Sequence, residues 1–237
     1  KLLVEGGSIL QRGGSSGATY LPVLAGSINL PDTANHVSIV GSRAYVGTSD
    51  AGDDLSIIDI TDRTNPVSLG SVDLPSEALD VFVLGAYAYV VTSITGDDFH
   101  IIDVSDPTAP SEVSSLNLGT SASAVKVRGR YAYVTTGNAA GSDFHVIDVY
   151  DPINPQIVDS IDLAADGNDV YLKGDYAFVV TDTPRSIRTI DISDPTSVFN
   201  VGTTTLTGDG SSLEIRGDYA YVTTASVGDD FHIMDIS

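Results

Sequence analysis

Short apolar alternations recur along the whole chain, and none is long enough to make a helix. In the stretch from residue 37, Val37 and Ile39 alternate with Ser38, and the run ends at Gly41-Ser42. A second run, 44–48, is rich in Tyr and Val. Two residues with glycine leading, set between two alternating runs, are the signature of a type II′ hairpin turn. A Gly/Asp loop then leads to a third apolar run at 55–60. The turn-forming stretch 62–66 leads to a fourth at 67–74. No segment of helix length carries a 3.6-residue apolar period, so the pattern predicts an all-β chain.

The pattern repeats. The turn glycines are Gly41, Gly85, Gly129, Gly174 and Gly217, spaced 44, 44, 45 and 43 residues apart. A second marker, an aspartate closing each third run, keeps the same period: Asp59, Asp103, Asp148, Asp191 and Asp235. Four strands in ~44 residues is the size of a β-propeller blade. The runs IIDITDRTNPVSLGSVDL, IIDVSDPTAPSEVSSLNL and VIDVYDPINPQIVDSIDL resemble the LVIVD-repeat family of secreted and surface β-propeller proteins, over roughly residues 20–237. That resemblance implies an extracytoplasmic propeller and carries no agreed catalytic residues. The fourth repeat departs from the pattern: SDPTSVFNV lacks the second proline, and TPRSIRT replaces the GDDFH segment.

The expected architecture is a five-bladed propeller, residues 20–237, with blades near 35–77, 78–121, 122–166, 167–210 and 211–237. The last repeat stops after its third strand. Residues 22–31, PVLAGSINLP, match PVSLGSVDLP at 66–75, so this N-terminal strand is expected to complete the last blade and close the ring. Closure removes open sheet edges. Residues 1–19 then form a strand-like arm, with Leu2, Leu3, Val4, Ile9 and Leu10 as its apolar positions, on a flexible Gly/Ser linker. An arm with no vacancy in its own ring is a candidate donor strand for a neighbouring subunit, or else a tether to an upstream domain or membrane anchor. The chain begins at Lys1 without methionine or a signal peptide, which fits either a processed chain or a piece of a longer one.

A residue present in every blade serves the blade; one that breaks the repeat is a better candidate for a site. The repeated aspartates form D-x-x-D before a turn, where a carboxylate accepts turn amide hydrogens. His100, His145 and His232 hold one position on three blades, too far apart to share an ion at zinc distances. They are expected to pack between blades. The tripeptide Arg216-Gly217-Asp218 is the blade turn.

The first strand of each blade should line the central channel. Its channel-facing positions place Arg128, Lys173 and Arg216 on consecutive blades, as a basic arc at one mouth. Asp80, Asp169 and His36 fall at the other mouth, with Lys126 and Tyr171 between. These eight residues are the candidate anion or small-ligand site. The acids between second and third strands, Asp50, Asp53, Asp54, Asp97, Asp98, Asp229 and Asp230, are hard oxygen donors in flexible loops and a candidate calcium site. They lack EF-hand spacing.

Charge narrows the function. Eleven Lys and Arg against 32 Asp and Glu give a net charge of -21, which argues against nucleic acid or an anionic membrane as partner. Absence of cysteine removes disulfides and thiolate chemistry, and no apolar run approaches a membrane span. Few lysines on a Thr/Ser/Gly-rich chain point to an extracellular or cell-surface setting. The leading expectation is a non-enzymatic structural or interaction protein, an assembly or adhesion module that polymerises through its N-terminal arm. Its partners are then other copies of itself or extracellular proteins, with no cofactor beyond a candidate calcium ion. The competing reading is a ligand-binding channel. A third is an axial hydrolase using Asp80, Asp169 and His36.

Overall fold

The structure, a computed structural model, describes residues 23–49, 52–94, 96–137, 141–225 and 230–237, and the backbone of 2–5 and 8–11. Blade one comprises β3 (Ala34–Val40), β4 (Arg43–Thr48), β5 (Leu55–Asp59) and β6 (Val67–Val72). It is preceded by β1 (Leu2–Glu5) and β2 (Ser8–Gln11). Blade two is β7 (Ala78–Leu84), β8 (Tyr87–Thr92), β9 (Phe99–Asp103) and β10 (Ser111–Leu116). Blade three is β11 (Ala122–Arg128), β12 (Tyr131–Thr136), β13 (Phe144–Asp148) and β14 (Gln156–Ile161). Blade four is β15 (Gly167–Lys173), β16 (Tyr176–Thr181), β17 (Ser186–Asp191) and β18 (Phe199–Thr205), and blade five is β19 (Asp209–Arg216), β20 (Tyr219–Ala225) and β21 (Phe231–Asp235). The strands of every blade pair antiparallel in sequence order. The chain is all-β, and its five blades make it a β-propeller.

Local chemistry sets each blade. Val40 pairs with Arg43, which leaves Gly41-Ser42 as a two-residue turn, and Gly41 has φ of 62°. Only glycine takes that conformation without strain. Each inner strand carries a bulge near its start, as between Ala78 and Asp80 in β7 and between Gly210 and Ser212 in β19. The D-x-x-D aspartates do accept turn amides: Asp59 from Thr61 N–H at 2.8 Å and Asp62 from Thr64 N–H at 2.9 Å.

Blades pack face to face through one repeated code. Tyr45, Leu55 and Ile57 of blade one bury against Val81, Val83, Ala88 and Val90 of blade two, and Leu74 closes the outer end. The same arrangement joins blades two to three, three to four and four to five. The inner strands therefore pack in series, β3 to β7 to β11 to β15 to β19.

The ends correct two expectations. Among the described residues blade five has three strands, and residues 23–30 form no strand with β21. Instead Ile28 and Leu30 pack on Ala44, Val46 and Ile58 of blade one, where Val72 and Leu74 would sit in the next interface. That segment thus holds the place of a preceding blade's fourth strand, but blade five is not beside it. Val37 is 51% and Ile39 63% exposed on blade one, and Phe231 56% and Ile233 60% on blade five. Their counterparts in the other blades are buried, except Leu172 and Thr189 of blade four, which are half-buried. The five blades form an open arc with an apolar face bare at each end, because these two faces do not meet. The second correction concerns the arm. It is not one extended strand: Leu2–Glu5 pairs with Ser8–Gln11, Leu3 opposite Leu10 and Val4 opposite Ile9, in a sheet separate from the blades. Most of the linker, 12–20, lies outside the described residues.

Candidate functional site

The inner strands bring His36, Asp80, Lys126, Asp169, Tyr171 and Glu214 around one cavity of about 350 Å³. All five blades contribute to the set. Asp80 is buried at the centre of the set. Its Oδ1 lies 3.0 Å from His36 Nδ1, and its Oδ2 accepts from Lys126 Nζ at 3.0 Å and from Val125 N–H at 2.9 Å. Burial pushes the Asp80 carboxyl up, but the His36 hydrogen bond, the Lys126 and His36 charges and the Val125 amide outweigh it and hold it below the usual carboxylate value. Asp169 is held differently. Burial raises its carboxyl, against the opposing pull of the Leu213 amide and Lys126, and nearby Asp80 adds to the rise. Its Oδ2 accepts from Leu213 N–H at 2.8 Å and from Ser212 Oγ at 3.1 Å.

Asp80 and Asp169 therefore do the same structural job. Each reaches forward to a main-chain amide of the next blade's inner strand. What faces the cavity is mixed and polar: the Lys126 ammonium, the Tyr171 ring and the Glu214 carboxylate. Such a lining can hold a small polar solute by hydrogen bonds. The bulge residues Leu79, Ser123, Asn168 and Ser211 also line it. Counting back from the turn glycine misses them, because a bulge adds one residue and re-aims its neighbours. Their fixed place, two before the first core aliphatic of each inner strand, is the signal that could have found them.

Two of the three bases of the arc reach the following blade. Arg128 Nη1 donates to the carbonyl of Gly174, and its guanidinium lies 6.0 Å from the Tyr133 ring centre. Lys173 Nζ donates to Gly217 O at 2.7 Å and to Asp218 Oδ1 at 3.1 Å. Each base clips the turn of the following blade. Arg216 holds the same position on the last inner strand and is exposed. Of the three residues expected to form an anion site, Arg128 and Lys173 serve as blade-to-blade clips, each with a turn carbonyl within reach, while Arg216 stays exposed. The second of those clips also occupies Asp218 of the Arg216-Gly217-Asp218 turn.

The loop acids separate in the same way. Asp54 and Asp98 are buried and accept from Leu74 N–H and Leu118 N–H, both at 2.7 Å; Asp143 accepts from Leu163 N–H at 2.9 Å. Each caps the exit of its own blade's fourth strand. Asp53 accepts the Ser71 hydroxyl, and the Asp97 main-chain carbonyl accepts from Thr92 Oγ1 at 3.3 Å. Asp230 is exposed, and Asp50 and Asp229 lie outside the described residues. Among the described residues no group of three or more His, Asp or Glu side chains is placed to hold a metal ion. The repeat itself carried the signal: an aspartate directly before the third strand recurs in blades one, two, three and five.

Two of the three repeat histidines are buried, while His232 is half-buried and its Nε2 lies 3.1 Å from Thr207 Oγ1. His100 is buried and its Nδ1 shares a 2.8 Å hydrogen bond with Glu112 Oε1. His145 is buried, and that burial pushes its imidazole down to about 4.

The fold and channel define a repeat β-propeller. The LVIVD repeat model matches residues 32–74, 75–117, 119–162, 164–205 and 207–237, and the chain belongs to that family. No curated protein sequence matches the chain. Among solved structures, it is similar to Kuenenia stuttgartiensis hydrazine synthase at 21% identity and TM-score 0.66, covering 90% of this chain and 59% of that one. It is similar to BamB from Moraxella catarrhalis at 17% identity and TM-score 0.65, covering 90% and 61%. It is also similar to the Swd1 β-propeller domain from Myceliophteria thermophila at 12% identity and TM-score 0.69, covering 89% and 72%. The chain thus spans about six tenths of the length of the first of these structures. At such identities the likeness is one of fold.

Proposed function

We propose that the chain is a non-enzymatic extracellular interaction module, a propeller arc that assembles with protein partners, copies of itself among them. The observation that carries this reading is the pair of bare blade faces. An exposed third strand with Phe231 and Ile233 on its face is an unusual surface for a chain of this charge, and such patches mark interaction sites. The β1–β2 hairpin adds strand edges ahead of the blades. The family resemblance and the cysteine-free, lysine-poor surface support an extracellular setting. Electron microscopy of the native sample beside a 1–19 deletion tests the reading. Ordered assemblies or complexes support it, and single particles that bind no protein refute it.

A second reading, a ligand-binding channel, is favoured by the cavity around Lys126, Tyr171 and Glu214. Titration calorimetry with small sugars and sugar acids, repeated on Lys126→Gln, is its test. Heat that the substitution abolishes would establish the site.

A further inference from the structure

The segment 23–30 and the free edge of β21 carry complementary halves of one interface. In blades one to three, the aspartate before the third strand accepts the N–H of the leucine after the fourth: Asp54 with Leu74, Asp98 with Leu118, Asp143 with Leu163. In blade five that aspartate is Asp230, which is exposed. The leucine that matches in sequence is Leu30, because PVLAGSINLP repeats PVSLGSVDLP. Residues 23–30 already sit on blade one as a fourth strand would. A Cβ on Gly26 would meet the carbonyl of Arg63, just as a Cβ on Gly70 would come within 2.8 Å of the carbonyl of Pro107. What this interface lacks is the inner three strands of the preceding blade. Blade five presents such strands, with Tyr221, Phe231 and Ile233 where Tyr45, Leu55 and Ile57 pack in the first interface.

We propose that blade five of one copy docks against blade one of a second copy, residues 23–30 of the second pairing with β21 of the first. This rests on the reading that the blade ends are the interaction surface. The register follows from blade one, where Ser56 opposes Ser71 and Ile57 opposes Gly70. His232 then opposes Ser27, Ile233 opposes Gly26, and Leu30 donates its N–H to Asp230. Val37 and Ile39 of the second copy cover Tyr221, Phe231 and Ile233. Arg216 clips the Gly41 turn as Arg128 clips Gly174. The contact repeats the four interfaces inside the chain and joins two different surfaces. It is heterologous, so it propagates as a filament or closes as a ring of subunits. A second copy is the occupant because within this chain residues 23–30 do not pair with β21, and Val37, Ile39, Phe231 and Ile233 stay exposed.

The chain has no cysteine, so engineered pairs report cleanly. Ser27→Cys and His232→Cys are made singly and mixed under oxidising conditions, and also combined in one chain. The mixture is expected to give a disulfide-linked heterodimer, and the double variant a ladder of linked chains. Ile233→Lys is expected to abolish both without lowering the single-chain melting temperature, since Ile233 is already 60% exposed. A double variant that links only within one chain would mean the ring closes on itself, and would overturn the proposal. So would the absence of cross-links in chains that stay folded. Assembly that persists without the cross-link, and is lost on deleting 1–19, would overturn this docking while leaving the interaction reading in place.

Discussion

Aspartate does three different jobs here, and its surroundings decide which. At turns such as Asp106 it is exposed and its carboxyl is held low by the Thr108 hydroxyl and amide. At Asp98 it is buried, and burial pushes the carboxyl up to about 6 against the opposing Leu118 amide. A folded-state value above the ordinary 3.8 means the folded protein holds that proton more tightly than the unfolded chain. The contribution of Asp98 is therefore greatest at low pH and falls as pH rises from about 4 to about 6. His145 works against it. Its value is depressed from 6.5 to about 4, so its contribution is full above 6.5 and is lost as pH falls through that window. Asp98→Asn should raise the melting temperature near ~pH 8 and lose that advantage near ~pH 4; thermal unfolding at both values checks the sign. A pH-independent change would remove burial as the cause. Asp80→Ala should cost about 2 kcal/mol in denaturant unfolding, because it strands the buried Val125 N–H and leaves Lys126 without its carboxylate. The turn aspartates were legible in sequence, because their partners lie two residues away. The roles of Asp98, Arg128 and Lys173 were not, because their partners lie 20 to 46 residues on.

Among the elements, the hairpin turns and strand alternation could be read directly. Glycine at a positive φ and a period of two are both local signals. The bulges were hidden, since an extra residue leaves the alternation on either side intact. The segment 23–30 shows how far repeat logic reaches. Its match to 67–74 marked it as a blade's outer segment, and the structure packs it on blade one, but the match could not say which third strand would stand beside it. Gly26→Ala should destabilise blade one by about 1–3 kcal/mol, because a Cβ there meets the Arg63 carbonyl and main chain cannot give way cheaply. An unchanged stability would mean the segment does not sit there. Deleting residues 1–31 should lower the melting temperature by uncovering Ala44, Val46 and Ile58, whereas deleting 1–19 should leave it unchanged. Equal melting temperatures would contradict the packing of Ile28 and Leu30.

For the whole molecule, the blade count was legible and the shape was not. Five repeats are visible in the chain, but whether they close depends on the packing angle between blades, which no short motif encodes. The result is an arc carrying a net charge of -21 with an apolar face at each end. On the proposed docking, two such arcs repel at long range and attract at contact. Raising salt should therefore strengthen association, because ~0.15 M salt screens charges beyond about 8 Å while leaving burial intact. The most direct test is sedimentation of the full chain over a wide concentration range at high salt, beside Ile233→Lys. The mass is predicted to climb past that of one chain as concentration rises, and to stay at one chain in the variant. A wild-type chain that remains single at every concentration would contradict the account.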